Sequence, residues 1–441
     1  MTRKRTRLFK QIASVAMAMM LLASMALPAL ANSEPIFGNQ AKPAEAAVTK
    51  IFQMPENTAT PEGEFVFTFK KESVDDKSGE ADLASMPTIG EVKIPFTAND
   101  EGVTDTVKGI KTVIKESDPI FANKDWLHAG KYVYTVKETG YSKTITDTFK
   151  EKMIFSKAEY QLNVYVMKGT DGKYFVFAIG AFLIVNEKGE VVSTVDKVDP
   201  TPGGNPDITG DYSKMIFTNI YVKNNGKDEP ENPEDVEKST VLKISKKVGG
   251  EFSDETKYFD YNITLDIPAI GVEAGDVGFY RAYVVEYDKD NKPIIATSEK
   301  NSATGIQGTS KGMTFIKFEL GKPVNVSLKH GQHLAFTDMH VGASFTVTEL
   351  GNLEYTPTYT LKIDGKDRPA GSAAEGAPLT IALTRIGELE NNAAYLNTRG
   401  SVTPTGISVD NLPYVIMITA SLLAIAGYMV IKNRIKAKSE A

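Results

Sequence analysis

In Tyr132-Val133-Tyr134-Thr135-Val136-Lys137-Glu138, the residues Tyr132, Tyr134, Val136 and Glu138 fall at every second position. Side chains of a β-strand alternate between its faces, so these four share one face, aromatic along its length and ending in a carboxyl group. Similar runs surround it: Phe65-Val66-Phe67-Thr68-Phe69, Tyr160-Gln161-Leu162-Asn163-Val164-Tyr165-Val166 and Lys173-Tyr174-Phe175-Val176-Phe177. They are rich in β-branched and aromatic residues and are separated by Gly, Asn and Asp turns. No long segment with a helical period interrupts them, so the expected class is all-β.

Further along, Asn224-Asn225-Gly226-Lys227-Asp228-Glu229-Pro230-Glu231-Asn232-Pro233-Glu234-Asp235 contains no apolar residue and reads as a linker. The strand pattern then resumes with Val241–Ile244, Tyr258–Leu265, Phe279–Val285, Phe315–Leu320 and Ala343–Leu350. The expectation is two β-sandwiches in tandem, residues 47–223 and 240–399, joined by an acidic, Pro-containing linker over 224–239. Each has roughly 150 to 175 residues, a size that suits a sandwich.

Both ends of the chain concern export. Arg3, Lys4, Arg5, Arg7 and Lys10 form a basic start, Ile12 to Leu27 is apolar, and Ala29-Leu30-Ala31 is a small-x-small cleavage site. Residues 1–31 therefore read as a signal peptide, with an uncleaved anchor as the alternative. At the other end, Val402-Thr403-Pro404-Thr405-Gly406 precedes an apolar stretch over 413–431 and a basic tail over 432–441 with Lys432, Arg434, Lys436 and Lys438. A membrane-length helix with positive charge behind it leaves the upstream chain outside the cell. The arrangement resembles the cell-wall sorting signal of Gram-positive surface proteins, Leu-Pro-x-Thr-Gly, and more closely its pilin variant ending in Pro-Thr-Gly. Val402 and Thr403 depart from the first two positions. That resemblance implies a sortase cutting between Thr405 and Gly406; a plain membrane anchor is the alternative reading.

The 441 residues carry 56 Asp and Glu against 50 Lys and Arg, with no basic stripe of the kind that binds nucleic acid. Cysteine is absent. This excludes disulfides, thiol catalysis, Cys-ligated metals and thioester chemistry.

Polar residues intrude on the predicted core faces in a repeated order. In the first half, Val48, Lys50 and Phe52 share a face of the opening strand; Glu138 ends the aromatic face; Phe217, Asn219 and Tyr221 share a face of the last strand. In the second half, Leu242, Ile244, Lys246 and Val248 share one face, Phe345, Val347 and Glu349 another, and Tyr395 and Asn397 a third. The order is Lys, Glu, Asn both times. Three polar groups in an apolar core are costly unless they satisfy one another.

These features resemble the Gram-positive backbone pilins with intramolecular isopeptide bonds, the FctA-type family of streptococcal shafts. The first half matches the Val-x-Lys opening, the Tyr-Thr-Val-Lys-Glu strand and the Phe-Thr-Asn-x-Tyr ending. The second is similar to a related pilin-like domain through Lys246-Lys247-Val248-Gly249-Gly250, Thr346-Val347-Thr348-Glu349 and Tyr395-Leu396-Asn397. The resemblance implies immunoglobulin-like sandwiches, amide bonds Lys50–Asn219 and Lys246–Asn397, and Glu138 and Glu349 as the acids that promote them. Burial supports that chemistry, because it favours a neutral amine and a protonated carboxyl. It also implies transfer of Thr405 to peptidoglycan or to a lysine of a neighbouring pilin subunit. Lys214, in Asp211-Tyr212-Ser213-Lys214 shortly before the last strand of the first half, is the candidate acceptor by position, with an ordinary solvated lysine as the alternative reading. A monomeric wall-anchored stalk or adhesin is the alternative.

Enzyme signatures such as a phosphate loop, a Gly-x-Ser-x-Gly elbow or a His-Glu-x-x-His helix do not occur. His330, His333 and His340 lack the carboxylate or Cys support of a metal site, and Leu328–Leu334 reads as a strand and turn with exposed polar positions. The single tryptophan, Trp126, reads as a packing residue. The sequence therefore points to a structural protein of a Gram-positive cell surface with no cofactor, no metal and no enzymatic turnover. An anchored exported enzyme is the least favoured reading.

Overall fold

The structure, a computed structural model, describes residues 37–203, 210–296, 299–302, 305–400, 416–425, 428–429 and 432. The expected signal peptide (1–31) and sorting motif (402–406) lie outside the described residues, and the expected membrane segment (413–431) lies partly outside them. Residues 416–425 are helical. Among the described residues, no helix is long and apolar enough to cross a membrane.

The first half contains β1 (Thr49–Pro55), β2 (Gly63–Val74), β3 (Val92–Phe96), β4 (Val103–Asp105), β5 (Ile110–Glu116), β6 (Gly130–Tyr141), β7 (Glu151–Ile154), β8 (Glu159–Lys168), β9 (Tyr174–Val185), β10 (Val191–Val198) and β11 (Ile216–Lys223). They form one sheet in the order β4-β5-β1-β11-β7 and another in the order β10-β9-β8-β6-β2-β3. Inward residues from both sheets merge in one core, as where Phe52 of β1 meets Phe65 of β2 at 5.0 Å between ring centroids. Trp126 belongs to this core, its ring 4.8 Å from that of Tyr132.

The second half contains β12 (Leu242–Gly249), β13 (Phe259–Asp266), β14 (Phe279–Tyr287), β15 (Pro293–Ile295), β16 (Ile306–Ser310), β17 (Met313–Glu319), β18 (Val324–Leu328), β19 (His333–Phe336), β20 (Ser344–Glu349), β21 (Thr356–Ile363), β22 (Lys366–Ser372), β23 (Leu379–Arg385) and β24 (Asn392–Thr398). A larger sheet runs β16-β17-β14-β19-β12-β24-β21-β22, with β15 on β14, and a smaller one runs β18-β13-β20-β23. Its main core is separate from that of the first half. The alternation predicted for β12 holds along the strand: Leu242, Ile244, Lys246 and Val248 are all buried.

The segment between the halves differs from the expectation of a plain linker. Residues Pro233–Ser239 form a helix: Asn232 accepts a hydrogen bond from Asp235 N at 2.9 Å, and Pro233 opens the first turn. Val236 is buried against Tyr283, Val285 and Ala335. Two of the acidic residues of the expected linker, Glu234 and Asp235, lie in the favourable first turn of this helix. Upstream, Asn224 is buried and its Nδ2 donates to the Asp338 carbonyl at 3.0 Å, while Lys223 Nζ meets Glu388 Oε2 at 2.5 Å. The chain thus leaves β11 through contacts with the second half.

The stretch around the histidines also differs. Gln332 and His333, expected at exposed positions, are 1% and 2% exposed. Their polar atoms are satisfied inside: Gln332 Nε2 donates to Glu286 and Gln332 Oε1 accepts from Asn301, while His333 Nε2 meets Glu237 Oε2 at 2.7 Å. A buried polar side chain with partners carries little of the cost that made exposure the expectation.

Candidate functional site: a Lys–Glu–Asn cluster in each core

The first and last strands of each half run parallel, side by side. In the first half Lys50 pairs with Phe217 and Phe52 with Asn219. In the second, Lys246 pairs with Tyr395 and Val248 with Asn397. Both registers place the asparagine two residues beyond the lysine's partner, on the same inward face. The glutamate arrives from the opposite sheet: Glu138 of β6 pairs with Phe67, and Glu349 of β20 with Tyr261. A bulge in β6 beside Glu138 ends the alternation there, since Phe67 pairs with Glu138 and Val66 with Gly140.

The three side chains meet. Lys50 Nζ lies 2.5 Å from Glu138 Oε2, and Asn219 Nδ2 donates to Glu138 Oε1 at 2.6 Å. Side-chain exposure is 0% for Lys50 and 2% for Glu138. In the second half, Lys246 Nζ and Asn397 Nδ2 each lie 2.6 Å from Glu349 Oε1. The three residues of each Lys, Glu, Asn set noted in the sequence are therefore brought together, Lys50, Glu138 and Asn219 in the first half and Lys246, Glu349 and Asn397 in the second.

Each lysine is also held against two rings that the sequence reading did not connect to it. Lys50 Nζ lies 4.4 Å from the Phe65 centroid and 6.0 Å from that of Phe67. Lys246 Nζ lies 4.0 Å from Phe259 and 5.9 Å from Tyr261. The signal was present as an aromatic-x-aromatic pair on the second strand of each half.

Burial dominates the electrostatics. It lowers the Lys50 amine from its usual range to about 8, against the opposing attraction of Glu138. It lowers Lys246 to about 8 against Glu349. The Glu349 carboxyl is raised by the same desolvation, with Lys246 and Asn397 pulling the other way. A neutral amine beside a carboxyl that retains a proton becomes accessible at modest cost.

The surroundings of the two amides differ. Asn219 Oδ1 accepts from the Ser156 backbone N–H at 2.7 Å, a contact the sequence did not suggest. Asn397 Oδ1 and Glu349 Oε2 are buried without a hydrogen-bond partner. The other sequence candidate, Lys214, lies apart from both clusters; its Nζ donates to the Gly210 carbonyl and sits 4.1 Å from the Tyr212 ring centroid.

A family model described as a domain of unknown function (DUF7601) matches residues 240–377. A curated relative named pilin, from Streptococcus pyogenes serotype M1, is 21% identical over 245 residues, which is 53% of this chain. The match spans 63% of that relative's length. Among solved structures, the major pilin from Streptococcus pyogenes is 16% identical, over 82% of this chain and 100% of that one, at a TM-score of 0.30. A pilus-presented adhesin is 10% identical, over 80% of this chain and 99% of that one, at 0.20. Scores at this level do not establish a shared fold.

The burial predicts an asymmetric response to substitution. Glu349→Ala strands Lys246 among aromatic rings, whereas Lys246→Met with Glu349→Leu and Asn397→Leu removes every polar member of the cluster. Neither variant can link Lys246 to Asn397, so the comparison is between the two, and the apolar triple is expected to be about 3–5 kcal/mol more stable than Glu349→Ala. Urea unfolding of the second half measures both; equal destabilisation by the two variants would contradict this account of the cluster.

Proposed function

We propose that the chain is a wall-anchored, pilin-type surface subunit in which each half closes one amide, Lys50–Asn219 and Lys246–Asn397, without an external enzyme. The observation that carries this reading is the duplicated contact of lysine, glutamate and asparagine at identical strand register. Ion-pair burial alone is a poor source of stability, so two matching triads in two cores call for another purpose. Conversion to a neutral amide removes the charges and leaves a bond between first and last strands. In the loop-entropy treatment each such closure contributes about 5 kcal/mol. Tension applied along the chain would pass through the bond and bypass most of the sandwich.

The direction of the strands supports a linear fibre. β11 ends at Lys223, which is bonded to Glu388 of the second half, so the loop holding Lys214, before β11, belongs to the far pole of the first half. β24 follows Glu388 and Asn391 and leads away from that junction towards residues 402–406. The sorting motif follows β24 in the sequence, so an acceptor at the opposite pole would permit head-to-tail joining. In this reading sortase cleaves between Thr405 and Gly406, after the apolar segment has held the chain at the membrane, and passes Thr405 to Lys214 of a neighbour or to peptidoglycan. The second reading, a monomeric stalk, draws support from Lys214 itself, whose amine is engaged by Gly210 and Tyr212 rather than freely presented.

Boiled cell-wall extracts test polymerisation: covalent multimers are expected, collapsing to monomer in Lys214→Arg, while Thr405→Ala is expected to move the protein to the detergent-extractable membrane fraction. Multimers that persist in Lys214→Arg would exclude this lysine, and a wild type without multimers favours the stalk.

Amide closure also has an expected pH profile. The ion pair Lys246⁺–Glu349⁻ and the reactive neutral pair hold the same number of protons, so the rate is level while the pair keeps one proton. It falls above about pH 8, where the Lys246 amine loses that proton, and falls again in acid once Glu349 is protonated beside a charged amine. Mass analysis of protein refolded from inclusion bodies at graded pH measures the profile; a rate rising steadily through pH 10, as for an ordinary lysine that loses its proton at about 10.4, would rule out the paired proton.

A further inference from the structure

The two clusters share their register but not their treatment of the amide oxygen, and that difference points to an additional group in the first half. Resting on the amide-closing reading above, we propose that the backbone N–H of Ser156 is the oxyanion donor for the Lys50–Asn219 reaction, a group without a counterpart among the described residues around Asn397.

The contact is built rather than incidental. Ser156 is 7% exposed, in the connection between β7 and β8, and its N–H reaches Asn219 Oδ1 at 2.7 Å. Its own Oγ accepts from Ala158 N at 3.2 Å and fixes the turn. From the other side, Glu187 in the β9–β10 connection accepts from the N–H of Thr218, next to Asn219, at 2.9 Å. The amide is thus held at its backbone and at its oxygen.

A backbone N–H only donates, so its position fixes the amide orientation: the oxygen faces Ser156 and the nitrogen faces Glu138. That orientation suits the chemistry. Neutral Lys50 Nζ adds to Asn219 Cγ, and negative charge gathers on Oδ1, where the Ser156 N–H already points. Glu138 takes a proton from Nζ through one oxygen and gives one to Nδ2 through the other. As the Cγ–Nδ2 bond breaks, ammonia leaves and the Nζ–Cγ amide remains; the carboxyl ends with the proton count it began with. In the second half Asn397 Nδ2 also faces its glutamate, but Oδ1 has no hydrogen-bond donor in the described structure. Loss of one oxyanion donor typically slows acyl chemistry about 100- to 1000-fold.

The test is Ser156→Pro, which removes the N–H, in the full chain refolded from inclusion bodies, with both cross-linked peptides followed by mass spectrometry. Lys50–Asn219 is expected to form about 100- to 1000-fold more slowly, while Lys246–Asn397 keeps its wild-type time course. Closure of the first bond at the wild-type rate overturns the proposal. Absence of both bonds in the unaltered protein instead overturns the amide-closing reading itself. Should proline unfold the first half, amide hydrogen exchange at Ser156 in Lys50→Ala decides. Slow exchange that is lost on adding Asn219→Ala supports the donor, and exchange as fast as in an open loop overturns it.

Discussion

A lysine amine with no exposure, set against phenylalanine rings, constrains everything around it in this protein. Such a group cannot stay charged and unpaired, so a carboxyl group must face it, and that carboxyl in turn needs partners for its second oxygen. The asparagine supplies one. The parallel pairing of first and last strands delivers the asparagine to the lysine, and the opposing sheet delivers the glutamate. Core, topology and site are therefore one arrangement. The second half meets the same constraint with the same register on a larger sheet.

Parallel pairing of the terminal strands carries a mechanical consequence. Shear along two neighbouring strands loads all of their hydrogen bonds together, and a covalent link between the same strands would take the load first. The contacts at the junction, where Lys223, Asn224 and Arg385 bridge to Glu388, Asp338 and Glu56, bring the ends of β1 and β11 against the second half. Force would then enter the second core near β12. The curated pilin relative matches 53% of the chain at 21% identity, so the geometry of the two clusters carries the mechanical reading.

The faces of the strands were legible in the sequence because side-chain alternation is a local property: Lys50, Glu138 and Asn219 could each be assigned inward from their own neighbours. The register between β1 and β11 was not, since it depends on how distant strands settle and no local pattern encodes it. Ser156 was invisible for a different reason. It acts through its backbone N–H, which every residue but proline has, so residue type carried no signal. The helix at Pro233–Ser239 was legible in principle, through Asn232, Pro233 and the acidic first turn, but the linker reading drew on the acidic, Pro-containing composition alone. Gln332 and His333 were misplaced because their burial depends on Asn301, Glu286 and Glu237, partners remote in sequence.

If the buried ion pairs are precursors of amides, the folded chain has lost one ammonia for each pair. Intact mass of the purified, fully denatured protein reads this out, with an expected deficit of two ammonia masses relative to the processed sequence. A mass equal to that sequence, in protein that had been folded, would contradict it.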